Sequence, residues 1–344
     1  MMKWPVMTNC SPIGVDVGER YIKAVQFSRS GGKWQISAAT GIKRDNQRAD
    51  ISGAEVCRLR KQLSESGFHG NRLVLAVPGD KLLTGIMELP PASSGAPMDM
   101  LARSELARMH KCDAQSFEMA SWQLPAPARA ANTTFVMGAA CTHADADSLL
   151  DCFEAEGFVV ERLEIQSQAM ARACGPLLNA SKGLAGILDL GWTAPRLVLL
   201  YNGVVIYQRK LPKSAYGAMV GELAGELGID TAQVEKMLSG ADQAQPRPEA
   251  ANACLERYVA GIIEEMRIPL SYVSNQYPDA ASDRLLLVGG GAQLDGLARR
   301  LAEAMDWPVC PATMSELVDG PESMDRDYGS TLVVAAGLAW AEED

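Results

Sequence analysis

Ile13-Gly-Val-Asp-Val-Gly18 opens the readable part of this chain, and Gly186-Ile-Leu-Asp-Leu-Gly191 repeats its pattern. Each is a short apolar run ending in Asp-x-Gly, which reads as a buried strand stopped by a tight turn. Residues 21–27 then alternate, with Ile22, Ala24 and Gln26 on one face, so the chain returns as a second strand. The Gly31-Gly32 turn leads to a third strand over 33–42, and a helix over 54–66 ends at Gly67. After the second run, 196–201, the Asn202-Gly203 hairpin turn and 204–209 repeat the strand, turn, strand order. A β-β-β-α unit written twice marks an internal duplication. It separates this chain from a plain βαβαβ dinucleotide fold.

Outward from these runs, 72–77 reads as a strand closed by Pro78-Gly79, and 81–89 as another closed by Pro90-Pro91. A helix over 98–110, strands over 117–124 and 133–141 and a helix over 145–156 form an inserted α+β subdomain. A strand over 159–164 and a helix over 166–178 follow. In the second half, helices are expected over 214–227 and 231–238. A polar linker over 242–248 precedes a long helix over 249–277 that contains Pro269. A strand over 284–288 runs into Gly289-Gly290-Gly291, a helix over 293–304 follows, and a small-residue helix over 328–340 closes the chain. The organisation read from this is a first lobe over 12–84, an insert over 85–160 and a return to the first lobe over 161–183. The second lobe covers 184–312, with its own subdomain at about 214–282, and 313–344 packs back on the first lobe.

Composition bounds the function. The 344 residues carry 32 Lys+Arg against 42 Asp+Glu, a net charge of −10, which disfavours a dedicated nucleic-acid binder. At 47% hydrophobic and 22% charged, the chain is an ordinary globular protein. The longest apolar stretches fall short of the roughly 20 residues of a spanning helix. Met1-Met2-Lys3-Trp4-Pro5 has no apolar core of a signal peptide. The eight cysteines make no C-x-x-C pair and share no metal-ligand spacing with His69, His110 or His143, so reduced thiols are expected.

The three glycine turns are the chemical signal. Backbone N–H groups in a glycine turn can point at a phosphate, and a missing Cβ lets the main chain come close. A strand-end carboxylate can hold Mg²⁺ through water. Asp16 and Asp189 stand where that is done, with Arg20 and Lys23 as nearby positive charge. Gly289, Gly290 and Gly291 permit close approach to a base or ribose. The chain has no G-x-G-x-x-G, no G-x-x-x-x-G-K-[ST], no G-x-S-x-G and no H-E-x-x-H.

In this order the residues Asp16-Val-Gly-Glu-Arg-Tyr-Ile-Lys23, Asp189-Leu-Gly191, Arg209, Glu235 and Leu287-Val-Gly-Gly-Gly-Ala292 resemble the actin-like ATPase superfamily. Within it the chain is similar to the type IV pilus assembly PilM family, relatives of the cell-division protein FtsA. The resemblance implies an α/β fold of duplicated ribonuclease-H-like lobes around an ATP–Mg²⁺ cleft, with the inserted α+β subdomain opened by Met87-Glu-Leu-Pro90. It implies that Asp16, Gly18, Glu19, Arg20 and Lys23 cradle phosphates and that Asp189, Gly191, Trp192 and Thr193 form a second phosphate loop. It further implies that Glu235 and Gly289–Gly291 meet the adenosine, and that Asp16 and Asp189 hold Mg²⁺ through water. Gln166 falls where relatives orient a water or metal ligand.

Departures from the pattern bear on turnover. Glu19-Arg20-Tyr21 stands where small hydroxyl residues are usual, Pro212-Lys213-Ser214 where a Gly-Gly pair is common, and Leu238 where a basic residue is common. These favour nucleotide binding over efficient hydrolysis. The function implied is a cytoplasmic scaffold of the pilus, or of a related secretion platform, recruited to the inner membrane. It would hold the cytoplasmic tail of a PilN-like membrane protein and meet other platform proteins. Two alternatives stay open: a small-molecule kinase of the same superfamily, and an FtsA-like filament former. Glu342-Glu-Asp344 lacks the apolar, basic character of an FtsA-type membrane-targeting helix.

Overall fold

The computed structural model describes residues 10–30, 33–45, 50–128, 132–178, 183–239, 248–318 and 329–340. The Gly31-Gly32 turn, most of the 242–248 linker and both chain ends lie outside them. The chain divides into two compact units, Met1–Ala173 with Val334–Asp344, and Cys174–Val333.

The first unit is built on five strands: β1 (Ile13–Val17), β2 (Tyr21–Ser30), β3 (Lys33–Lys43), β4 (Arg72–Ala76) and β8 (Val159–Glu164). They lie in the order β3-β2-β1-β4-β8. The β1–β2 and β2–β3 pairs are antiparallel, while β1–β4 and β4–β8 are parallel. Parallel neighbours need crossovers that cover the sheet faces, so β4, paired in parallel on both sides, is apolar after its first residue: Leu73, Val74, Leu75 and Ala76 are all buried. Helix α1 (Gly53–Glu65) starts at a capping box in which Ser52 and Glu55 satisfy each other's backbone N–H groups, and it buries Val56, Leu59 and Leu63. Those residues join Ile13, Val15, Phe153 and Phe158 in one core.

Between β4 and β8 the chain makes the insert. Its strands β5 (Leu82–Leu89), β6 (Phe117–Gln123) and β7 (Thr134–Thr142) are antiparallel in the order β5-β7-β6. Helix α2 (Met98–His110) packs on this sheet through Ala102, Leu106 and Ala107, around Met87 and Phe117. Helix α3 (His143–Glu154) has Thr142 as its N-cap and returns the chain to the first sheet. Lys81 Nζ lies 3.7 Å from Asp50 and 3.1 Å from Asp145, joining the α1 side of the sheet to the start of α3.

The second unit repeats the first strand for strand. Strands β9 (Leu184–Asp189), β10 (Arg196–Tyr201), β11 (Val204–Lys210), β12 (Ser282–Val288) and β13 (Val309–Pro311) lie in the order β11-β10-β9-β12-β13. The senses repeat as well: β9–β10 and β10–β11 antiparallel, β9–β12 and β12–β13 parallel. Where the first unit has α1, the second has α5 (Tyr216–Leu227), α6 (Thr231–Leu238) and α7 (Glu249–Gln276), the last running as one helix through buried Pro269. Asn202 (φ 52°) and Gly203 (φ 80°) both take the left-handed conformation, as a two-residue hairpin requires.

Three readings need correction. The helix expected over 293–304 begins only at Leu297, as α8 (Leu297–Met305); Gly290–Gln293 is a single 3₁₀ turn. Two early N–H groups there are used elsewhere, Gly291 N–H donating to the Leu190 carbonyl and Asp295 N–H to that of Leu238, and Gly296 turns the chain at φ 80°. The closing helix is regular only over Val333–Ala339, after a 3₁₀ turn at Gly329–Leu332. Strand β13 and the short α9 (Met314–Leu317) were not anticipated. Three residues ending in Pro311 carry no periodicity, and proline is tolerated there because β13 is the sheet edge. Of the described residues here, 313–318 and 329–333 group with the second unit and 334–340 with the first.

Candidate functional site

In the first unit, register builds the site. Asp16 and Lys23 are direct partners across the β1–β2 pair, so both side chains leave the same face. Lys23 Nζ lies 2.7 Å from Asp16 Oδ2, and Asp16 is buried at 3% exposure. Gln166 opens α4 (Gln166–Leu178) and its amide donates to Asp16 Oδ1 at 3.4 Å. Asp16, Lys23 and Gln166, singled out from distant parts of the sequence, thus meet. The turn between the strands is tight: Gly18 N–H donates to the Tyr21 carbonyl (3.1 Å), and a Cβ on Gly18 would stand 2.9 Å from that oxygen. Glu19 is half-buried on this turn, and the Arg20 guanidinium lies 5.5 Å from the centre of the Tyr21 ring.

Sequence reasoning missed what holds this turn. Arg44 N–H donates to the Arg20 carbonyl, and its guanidinium to the Gly18 carbonyl at 3.4 Å. The same guanidinium grips Glu55 at 3.0 and 3.2 Å and the Asp50 carbonyl at 3.2 Å. Burial alone would raise the Glu55 pKa, but the Arg44 hydrogen bond, the Ser52 N–H and the Arg44 charge outweigh it and hold the carboxyl below the usual 4.5. The first turn is therefore pinned to the N-terminus of α1 by a buried ion pair.

In the second unit the same register recurs. Asp189 is the direct partner of Arg196, as Asp16 is of Lys23, each basic residue standing seven positions beyond its aspartate (16 to 23, 189 to 196). Arg196 was not singled out, although the repeat itself points to it. Gly289 takes φ 82°, ψ 178°, and a Cβ there would overlap Asp189 Oδ1. Gly291 N–H donates to the Leu190 carbonyl (3.0 Å), and a Cβ on Gly291 would stand 2.8 Å from Leu190 Cβ. Asp189, Leu190 and the Gly289–Gly291 turn are thus packed as one cradle, whereas a Cβ on Gly290 would meet nothing within 4 Å. Glu235 is half-buried on α6, and one turn further along that helix the Leu238 carbonyl accepts from Asp295 N–H.

Trp192 is anchored. Its carbonyl accepts from Gly217 N–H (2.7 Å), a Cβ on Gly217 would meet the indole Cε2 at 2.5 Å, and Tyr216 stands edge-on to it at 5.6 Å. The indole ties the loop after β9 to the start of α5. Thr193 Oγ1 is buried and makes no hydrogen bond to any described residue.

These residues fit a nucleotide. Glycine is required in both turns, at Gly18 against the Tyr21 carbonyl and at Gly289 against the Asp189 carboxylate, and the loop after Asp189 holds a buried hydroxyl, that of Thr193, with no partner among the described residues. Among the described residues no three His, Cys, Asp or Glu side chains cluster as a metal cage. One carboxylate per turn suits a Mg²⁺ held chiefly by water and phosphate oxygens. All eight cysteines are free thiols. Cys174 is buried, which pushes its pKa up to about 12. No described helix is long and apolar enough to cross a membrane.

Solved structures share this architecture. A PilM–PilN type IV pilus biogenesis complex matches at 19% identity with a TM-score of 0.78, over 96% of this chain and 97% of that one. The ethanolamine utilization protein EutJ from Carboxydothermus hydrogenoformans matches at 14% and 0.55, over 97% and 90%. MreB5 of Spiroplasma citri, solved bound to ADP, matches at 11% and 0.52, over 96% and 95%. At these identities the likeness carries the fold, which is the actin-like one of two related lobes. A sequence model of the type IV pilus assembly protein PilM covers residues 14–342, both copies of the hairpin and the insert between them, and on that match the chain belongs to the PilM family of pilus assembly proteins.

Proposed function

We propose that this chain is a cytoplasmic scaffold on the inner-membrane platform of a type IV pilus or a related secretion machine. It holds a short cytoplasmic tail of a PilN-like membrane partner and uses ATP–Mg²⁺ as a conformational ligand. The observation that carries the nucleotide half is the doubled hairpin, Asp16 opposite Lys23 and Asp189 opposite Arg196, in a chain of this family. Asp16, Gly18, Glu19, Arg20 and Lys23 take the phosphates from the first unit. Asp189, Gly191, Trp192 and Thr193 form the phosphate loop of the second, and Glu235 with Gly289–Gly291 takes the adenosine. When bound, Mg²⁺ would offset phosphate charge at Asp16 and Asp189.

The chain's own residues favour binding over turnover. Lys23 already neutralises Asp16, Gln166 orients it, and Arg44 fixes the first turn rather than leaving it free to close. A ligand of this kind acts by its differential affinity for two arrangements of the protein. The tail would lie in the groove where the insert (85–160) leaves the first sheet (12–84). Lys81 spans that junction between Asp50 and Asp145, and α2 presents Met100 and Met109 to solvent.

The experiment is a titration of the full chain into a labelled peptide copying the partner's cytoplasmic tail, with and without ATP–Mg²⁺. Saturable binding whose Kd changes with nucleotide supports the reading. A flat titration in both conditions contradicts it.

A further inference from the structure

The second unit contains a hydroxyl that no motif pointed to. Helix α7 lies along α5, joined to it by Arg257 to Glu222 (2.7 Å) and by Cys254 Sγ on the Met219 carbonyl (3.8 Å). Nearer the start of α5, Ser214 donates to Glu265 (2.8 Å). Cys254, and Gly261, on which a Cβ would stand 3.4 Å from Ser214 Oγ, lie one helical turn to either side of Tyr258, which sets Tyr258 beside the start of α5, where Tyr216 begins the helix. Tyr216 meets Trp192 edge-on, and its Cγ is 3.5 Å from where a Cβ on Gly291 would stand. Tyr258 therefore belongs to the cluster that surrounds the Asp189–Gly289 cradle.

Tyr258 is 6% exposed, and its hydroxyl makes no hydrogen bond to any described residue. Thr193 Oγ1, in the loop that follows Asp189, is in the same condition. A buried hydroxyl left without a partner opposes folding, and such groups are rare unless something else completes them. Two of them at one glycine cradle is a second, independent sign of a ligand. Burial raises the Tyr258 pKa, with the Tyr216 hydroxyl and the Asp189 carboxylate adding to it, so the phenol keeps its proton and is available as a donor.

We propose that Tyr258 is a ligand-binding residue of this cradle: its hydroxyl donates a hydrogen bond to an oxygen of the nucleotide held over Asp189 and Gly289–Gly291. The inference rests on the nucleotide reading above. It assigns to α7 a direct part in recognition, besides its packing role in the second unit.

Tyr258→Phe removes this one oxygen and keeps the ring. The full chain, freed of nucleotide, is melted, and ATP–Mg²⁺ is titrated by calorimetry into wild type and variant. The variant should melt at the wild-type temperature or above it, because it loses an unsatisfied group. It should bind ATP about 10-fold more weakly. Two results overturn the proposal while leaving the nucleotide reading intact. One is wild-type affinity in the variant. The other is a nucleotide-free melting point lowered by more than about 3 °C, which would mean that the hydroxyl is already satisfied inside the fold. A wild-type chain that takes up no nucleotide would instead overturn the nucleotide reading, and this inference with it.

Discussion

Gly289 occupies φ 82°, ψ 178°, a region open essentially to glycine alone, with the Asp189 carboxylate lying over its Cα. Gly289→Ala must strain the backbone and displace the carboxylate together. It should cost about 1–3 kcal/mol in a denaturant melt and weaken ATP binding, whereas Gly290→Ala, with open space beside it, should do neither strongly. Arg44 and Glu55 pose a different residue-level question. Removing one partner of a buried ion pair leaves the other uncompensated, so Arg44→Met should cost about 3–5 kcal/mol, and adding Glu55→Gln should recover much of it. The Glu55 pKa is lower folded than unfolded. Its contribution is therefore complete above about pH 4.5 and is lost as pH falls through the folded-state value. Melts at about pH 7 and about pH 3 should show a smaller acid loss in the double variant than in wild type. The sequence made Asp16, Lys23 and Asp189 legible because strand-end carboxylates and hairpin turns have local signatures. Arg44 and Tyr216 have none: each joins its turn through contacts with residues far off in the chain.

At the scale of elements, small residues decide how the closing helix Val333–Ala339 sits. A Cβ on Gly14 of β1 would overlap the Ala335 carbonyl and Ala339 N, and one on Gly337 would overlap the Ala169 carbonyl of α4. Arg172 donates to the Gly337 carbonyl at 2.6 Å while holding Glu164 at 2.9 Å, and Trp340 packs on Phe27 at 5.5 Å. Gly337→Val forces this helix off both neighbours. It should destabilise the chain by at least about 3 kcal/mol in urea, more than a core Ile→Val change, since overpacking against backbone cannot relax by a rotamer change. The helix was readable as a run of small apolar residues expected to pack back on the first lobe, but the backbone atoms it meets there were not. Composition shows that the helix can come close, and only the fold shows what it comes close to. The helix misplaced by four residues after the glycine turn has the same origin. Apolar spacing from Gln293 onward suits a helix, but backbone donors in that stretch are taken by Leu190 and Leu238 from other elements.

Across the whole molecule, one five-stranded unit is written twice, with strand orders β3-β2-β1-β4-β8 and β11-β10-β9-β12-β13. That was legible because both copies keep their first three strands consecutive. The fifth was legible only in the first, where β8 has six residues against three in β13. Duplication implies that equivalent turns carry equivalent chemistry. Lys23 and Arg196 in matching register support it. The most direct test is calorimetric titration of ATP–Mg²⁺ into wild type, Asp16→Ala and Asp189→Ala, each checked for an unchanged fold by circular dichroism. One nucleotide should bind per wild-type chain, and affinity should fall about 10-fold or more in each variant, since each removes a charged group on which the metal and phosphates depend. Wild-type affinity retained in both variants, or no heat of binding in wild type, would contradict this.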